Sequence, residues 1–102
     1  MQLTDFEKSV YNACSKIRKG RVSTYFEIAK AIRNPKASRA VGNALNKNPF
    51  RSVPCHRVVC SDGKLGGFVN GPRKKKSLLE QEGVAIEKGR IADFKNAFQP
   101  LC

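Results

Sequence analysis

The chain has no tryptophan, one histidine, one methionine and only eight acidic residues among 102. Each scarcity excludes something. With a single imidazole, and no C-x-x-C spacing among Cys14, Cys55, Cys60 and Cys102, a zinc site lacks its ligands. No apolar run is long enough to cross a bilayer, and the opening "MQLTDFEKSV" lacks the apolar stretch of a secretion signal. The expectation is a cytoplasmic protein, nucleoid-associated in a prokaryote, whose cysteines stay reduced. No metal, cofactor or membrane partner is expected. Without repeats or a linker, residues 1–102 read as one domain with a single modest core.

What the chain has in excess is positive charge. Twenty Lys and Arg against eight Asp and Glu give a net charge of +12. In so small a domain this points to a polyanionic partner, nucleic acid before membrane. The charge is also unevenly spread. No acid lies between Glu27 and Asp62, whereas Lys30, Arg33, Lys36, Arg39, Lys47, Arg51 and Arg57 all do. A surface selected only for solubility mixes the signs. The run Arg73-Lys74-Lys75-Lys76 reads differently, as the solvated first turns of a helix.

Thr4-Asp-Phe-Glu7 has capping-box form, and Phe6, Val10, Ala13, Cys14 and Ile17 follow at helical spacing until Gly20. A second box, Thr24-Tyr-Phe-Glu27, opens a short helix carrying Ile28, Ala29 and Ile32. Asn34-Pro35 stops it and starts a third helix, with Asn34 as cap and Ala37, Val41, Ala44 and Leu45 as its apolar face, closed by Asn48-Pro49. Two short helices around a tight break read as helix-turn-helix or as a plain helical hairpin. The outward line Arg39, Gly42, Asn43 and Asn46 favours the former, because it suits close approach to a polar groove. Downstream, Arg57 to Cys60 reads as a short buried strand, Asp62-Gly63 as a turn, and Pro72 to Glu82 as a helix stopped by Gly83. A hairpin-like stretch from Val84 to Ile91 and a short helix around Phe94 to Phe98 finish the chain. The fold class expected is mainly α with a small β element, a winged helix-turn-helix-like single domain.

The lone histidine sits in "SVPCHRVVCSDG", directly after Cys55. This is either an ordinary buried turn or a fixed nucleophile. A free cysteine is only slightly ionised at neutral pH and needs a base or positive potential beside it. His56 can be that base if the backbone turns, since neighbouring side chains of extended chain point apart. His56 in turn needs an orienting group, and Glu82 is the best candidate.

Pro54-Cys55-His56-Arg57-Val58 resembles the PCHRV motif of O6-alkylguanine-DNA alkyltransferases, whose cysteine accepts the alkyl group. "RVSTYFEIAKAIRNPKASRAVGNALNKNP", "GGF" and "LLEQEG" resemble the flanking segments of that family, in order. The likeness runs from about Gly20 to Gly83 and is to the C-terminal active-site domain standing alone, without the usual N-terminal one.

The resemblance implies that Cys55 is the acceptor, activated through His56, a water and Glu82. Asn48 matches the residue linking the DNA-binding helix to the active-site loop, and Tyr25 the one that rotates the phosphate and helps protonate the departing guanine. Arg39 matches the arginine that fills the gap left by the flipped base. Asn34 and Ser61 match DNA-contacting positions, and Thr24, Ala37, Ser38, Gly42 and Asn43 complete the implied DNA surface. Val58, Gly66 and Phe68 are the implied walls of the alkyl and base pocket.

The implied partner is double-stranded DNA carrying O6-alkylguanine, gripped through its minor groove by a monomer able to cluster along it. The implied reaction is an irreversible, single-turnover alkyl transfer to Cys55. Phe68 stands where many members have tyrosine and Val69 where some have serine, which alters the pocket walls. One rival is an alkyltransferase-like protein that binds lesions without repairing them; those proteins replace the acceptor cysteine, commonly with tryptophan. A helix-turn-helix regulator is the other, and it leaves Cys55-His56 unexplained.

Overall fold

The computed structural model describes residues 3–101; Cys102, one of the four cysteines, lies outside them. The described chain is mainly helical with two very small sheets, in the winged helix-turn-helix-like class. Helix α1 (Asp5–Cys14) starts as expected. Thr4 Oγ1 accepts from Glu7 N, and Glu7 Oε1 accepts from Thr4 N, both at 3.0 Å. It ends earlier than the spacing suggested. Ser15 caps it through its hydroxyl on the Tyr11 carbonyl (2.8 Å), and tighter turns carry Ile17 into the core before Gly20 is reached.

Strand β1 (Ser23–Thr24) leads directly into α2 (Tyr25–Ala31). Thr24 Oγ1 caps Glu27 N at 3.0 Å, but the second box is only half formed. The Glu27 carboxylate turns instead to Lys30 (3.3 Å) and to the Leu101 backbone N–H (2.9 Å). The break after α2 is a Schellman turn: Asn34 N reaches the Ala29 carbonyl and Arg33 N the Lys30 carbonyl. Arg33 takes the left-handed conformation, φ 63°, usually left to glycine or asparagine. Asn34 is therefore the end of this turn and not the cap of the next helix. Helix α3 (Ser38–Asn46) begins later, with half-buried Ala37 at its N-cap and no side-chain capping bond.

After α3 the chain runs through a single 3-10 turn (Cys55–Arg57) into β2 (Val58–Val59). β2 pairs in parallel with β1, Ser23 against Val58 and Thr24 against Val59. Helix α4 (Pro72–Gln81) has Pro72 in its first turn and ends in a second Schellman turn, with Glu82 as C-cap and Gly83 at φ 89°. The hairpin β3 (Ile86–Glu87) and β4 (Arg90–Ile91) and the short α5 (Phe94–Ala97) follow.

The core has two lobes. Val10, Cys14, Ile17, Ile28, Val41 and Leu45 from α1 to α3 enclose Cys55 and Val58 in the first. Val22, Val59, Leu79, Val84 and Ile91 make the second. Burying each large aliphatic of this set contributes roughly 1.5–3 kcal/mol before chain entropy is counted. The parallel pair β1–β2 joins the lobes, and it fixes the start of α2 against the turn that carries Cys55 and His56.

Candidate active site and nucleic-acid interface

The 3-10 turn resolves the difficulty of adjacent cysteine and histidine, because its backbone curls where an extended chain would separate them. Cys55 is 7% exposed. Its Sγ receives the Asn48 amide at 3.4 Å, and the same Nδ2 also reaches the carbonyls of Phe50 (3.0 Å) and Val53 (3.3 Å). Asn48 Oδ1 accepts from Phe50 N at 2.9 Å. Asn48, just past the end of α3, thus spans the loop from that helix to the thiol.

His56 Nε2 lies 3.1 Å from Glu82 Oε1, though the pair is not aligned as a hydrogen bond. Burial drives the imidazole pKa down, only partly opposed by Glu82, so His56 is neutral near pH 7 and free to take a proton. Glu82 is held from the other side. Arg57 Nε and Nη2 donate to its two oxygens at 2.9 and 2.6 Å, and Nη1 donates to the Ile17 carbonyl at 2.8 Å. Burial alone would raise the Glu82 pKa; the hydrogen bonds of Arg57, with the nearby imidazole, outweigh it and lower it. Arg57 is a site residue that sequence reasoning missed. Its position inside the Cys-His-Arg turn was the available signal.

A cleft of about 600 Å³ opens over Cys55 and His56. Asn48, Phe50 and Val53 line it from the loop after α3, and Phe68, Val69 and Leu78 from the loop before α4 and from α4 itself. Exposed Arg51 and Lys74 add positive charge to the lining. Phe68 is among these lining residues, and its ring meets that of His56 edge-on at 6.5 Å. Val58 and Gly66 are corrections. Val58 is fully buried in the first core lobe, and neither residue lines the cleft. Gly66 instead packs behind it, where a Cβ would stand 2.9 Å from the Tyr25 hydroxyl and 3.2 Å from Cys60 Sγ.

Of the expected DNA surface, Asn34, Arg39, Asn43 and Ser61 are exposed, and Ala37, Ser38 and Gly42 are half-buried. Thr24 is a further correction, because its side chain is buried and committed to capping α2. Tyr25 is half-buried; its hydroxyl donates to the Gly67 carbonyl at 3.3 Å, and burial pushes its pKa up to about 12. Gly42 leaves ordinary van der Waals room for the Tyr25 ring. The basic run at the start of α4 divides: Arg73, Lys74 and Lys76 are exposed, but Lys75 is completely buried. The spacing of Lys75 from Leu79 and Glu82 put it on the inward face of α4, a signal that the run of like charges obscured.

Among the described residues, no three His, Cys, Asp or Glu side chains are grouped to hold a metal ion, and no helix is long and apolar enough to cross a membrane. Cys14, Cys55 and Cys60 are free thiols.

Comparison with known proteins follows the same residues. The family profile "6-O-methylguanine DNA methyltransferase, DNA binding domain" matches residues 5–84. The methylated-DNA–protein-cysteine methyltransferase of Methanosarcina acetivorans is 56% identical over 81 residues, covering 78% of this chain and 52% of that protein. Its namesake from Sulfolobus acidocaldarius is 46% identical over 86 residues, covering 83% of this chain and 54% of that protein. The chain spans about half the length of the curated relatives it matches.

Among solved structures, Mycobacterium tuberculosis OGT in complex with DNA superposes with a TM-score of 0.76 at 45% identity, over 79% of this chain and 51% of that one. S. pombe Atl1, bound to damaged DNA containing O6-carboxymethylguanine, superposes with a TM-score of 0.84 at 33% identity, over 98% of this chain and 100% of that one.

Proposed function

The chain belongs to the family of the 6-O-methylguanine DNA methyltransferase DNA-binding domain, and from that premise we propose that it repairs O6-alkylguanine in DNA by taking the alkyl group onto Cys55. The observation that carries this reading is the cleft: its lining includes the Cys55 thiol and His56, and the Glu82 carboxylate stands behind the imidazole. The same observation supports reading the chain as the family's C-terminal active-site domain as well as a DNA-binding unit, with residues 1–102 forming one domain.

The steps proposed are those that the family resemblance implies for these residues. A lesion at guanine O6 is inside the base stack, so the nucleotide is extruded at a cost of a few kcal/mol. Arg39, exposed in the first turn of α3, fills the space left behind, with Ser38, Asn43, Asn34 and Ser61 contacting the strand on the minor-groove side. Ala37 and Gly42 let the backbone come close. The Cys55 proton passes by way of His56, backed by Glu82, and the thiolate attacks the alkyl carbon in line. A carbon–sulfur bond forms, the carbon–oxygen bond to guanine breaks, and Tyr25 helps protonate the leaving base. Nothing in the cleft hydrolyses a thioether, so each protein acts once, as a monomer that can cluster along DNA.

Incubation with alkylated DNA followed by mass spectrometry of the intact protein tests this. The expected result is one added alkyl group, on Cys55, reaching a plateau of one per protein, and none on Cys55→Ser, which still binds DNA. Continued turnover, or alkylation elsewhere, would overturn the reading. A second reading, lesion binding without repair, draws on the nearly full-length likeness to S. pombe Atl1. It predicts tight binding of lesion DNA with an unmodified Cys55.

A further inference from the structure

Lys75 is the bulkiest of the completely buried side chains. Among the described residues no carboxylate pairs with it, and an uncompensated buried cation is costly. Its Nζ donates to the carbonyls of Val58 (2.5 Å) and Gly67 (3.0 Å), and stands 3.5 Å from the Tyr25 hydroxyl and 5.7 Å from the centre of that ring. These partners lie on three separate segments: β2, the glycine loop before α4, and α2. That loop also lies outside every helix and strand. Phe68, which meets the His56 ring and lines the cleft, follows Gly67 directly.

We propose that Lys75 is a positioning residue, whose ammonium ties the Gly66–Gly67 loop to β2 and α2 and so holds Phe68 against His56 as a wall of the alkyl-accepting cleft. This rests on the reading of the cleft given above. The tie titrates. Burial lowers the Lys75 pKa to about 8, opposed in part by its neighbours Cys60 after β2, Cys55 on the 3-10 turn and Cys14 on α1; Tyr25 faces it from α2. Losing the proton leaves an amine with fewer donors and no charge to strengthen them.

The test follows amide hydrogen exchange of residues 64–70, corrected for its intrinsic pH dependence, from about pH 6.5 to about pH 9.5, with single-turnover transfer measured alongside. In the wild type, protection of this loop falls as pH passes about 8. In Lys75→Arg, whose guanidinium stays charged, it does not fall. In Lys75→Met, protection and transfer to both duplex and free alkylated base drop about 10- to 100-fold at every pH, while binding to undamaged DNA is unchanged.

Wild-type protection in a folded Lys75→Met, or a Lys75→Arg that titrates like the wild type, overturns the proposal. If neither variant folds, the wild-type profile decides, and a loop whose protection is flat through pH 8 sinks it. A wild type that transfers nothing to Cys55 defeats the repair reading instead, and the exchange data still judge Lys75.

Discussion

Arg57 grips Glu82 with a two-pronged hydrogen bond, Nε to one carboxylate oxygen at 2.9 Å and Nη2 to the other at 2.6 Å. The first of those oxygens is also the one facing His56. The histidine therefore leans on a carboxylate that cannot swing away from it. Arginine suits this place because its planar fork matches both oxygens at once, which a lysine ammonium cannot do.

The first prediction concerns acid stability. The folded Glu82 carboxyl titrates below its ordinary value of 4.5. The unfolded chain then binds more protons as pH falls through that value, so the stabilisation is complete above it and lost below it. Glu82→Gln should flatten the dependence of unfolding free energy on pH between about pH 5 and about pH 2. Urea melts across that range check it, and an unchanged slope would assign the acid sensitivity to other carboxyls. The variant should also slow alkyl transfer, since a neutral amide no longer backs the imidazole when it takes a proton.

Gly66→Ala should damage the fold near the site. At φ 74° a side chain is strained, and its Cβ would crowd both the Tyr25 hydroxyl and Cys60 Sγ. The expected loss is about 1–3 kcal/mol, read as a lower Tm, with slower transfer because the wall carrying Phe68 shifts. Wild-type stability would show that the loop has another place to go.

Arg39→Ala should separate binding from flipping. Arg39 is the only basic residue on the outward line shared with Gly42, Asn43 and Asn46. Losing its charge weakens binding modestly, whereas losing the guanidinium from the vacated stack exposes an unstacking cost of a few kcal/mol. Repair in duplex DNA should slow far more than binding weakens, and reaction with the free alkylated base should be nearly unchanged. Equal losses on duplex and free base would make Arg39 a residue of the fold or of the pocket.

Binding to undamaged duplex should weaken steeply with salt and discriminate little between sequences. Each phosphate neutralised by basic residues of the stretch between Glu27 and Asp62 contributes roughly 0.9 to the log–log salt slope. A titration between low and physiological salt measures it; a slope near zero would assign the basic surface to something other than DNA.

The parts legible in the sequence were those governed by local rules. The Thr4–Glu7 box, Pro72 at the head of α4 and Gly83 at its foot each act within a few residues, and each sits where expected. Local rules also misled where a stronger local bond was available. Asn34 has the chemistry of a cap, but the left-handed Arg33 spends its N–H on closing the preceding helix. The site was half legible. Cys55, His56, Asn48 and Glu82 do converge; the first two and the carboxylate were linked on chemical grounds, and Asn48 only through the family resemblance. The grip of Arg57 depends on tertiary partners far along the chain, which neither periodicity nor charge counting contains, whereas the burial of Lys75 was written in the spacing of α4 and masked by the basic run around it.

Helix α3 has a consequence beyond carrying Arg39 and Asn43 on its exposed face. Arg39 stands in its first turn and Asn48 just past its end, so about 10 Å of helix axis, at 1.5 Å per residue, separates Arg39 from Asn46, the last helical residue before Asn48. In the proposed complex one end addresses the duplex, and the other, through Asn48, touches the thiol. On the proposed function the helix is therefore a ruler, and it sets how far a base must travel from the stack to reach the reacting sulfur. A residue inserted anywhere along α3 would lengthen that span and rotate one end by a hundred degrees relative to the other, roughly the turn per residue of an α-helix. Such a variant could fold and bind DNA, yet it would deliver the base to the wrong side of the cleft.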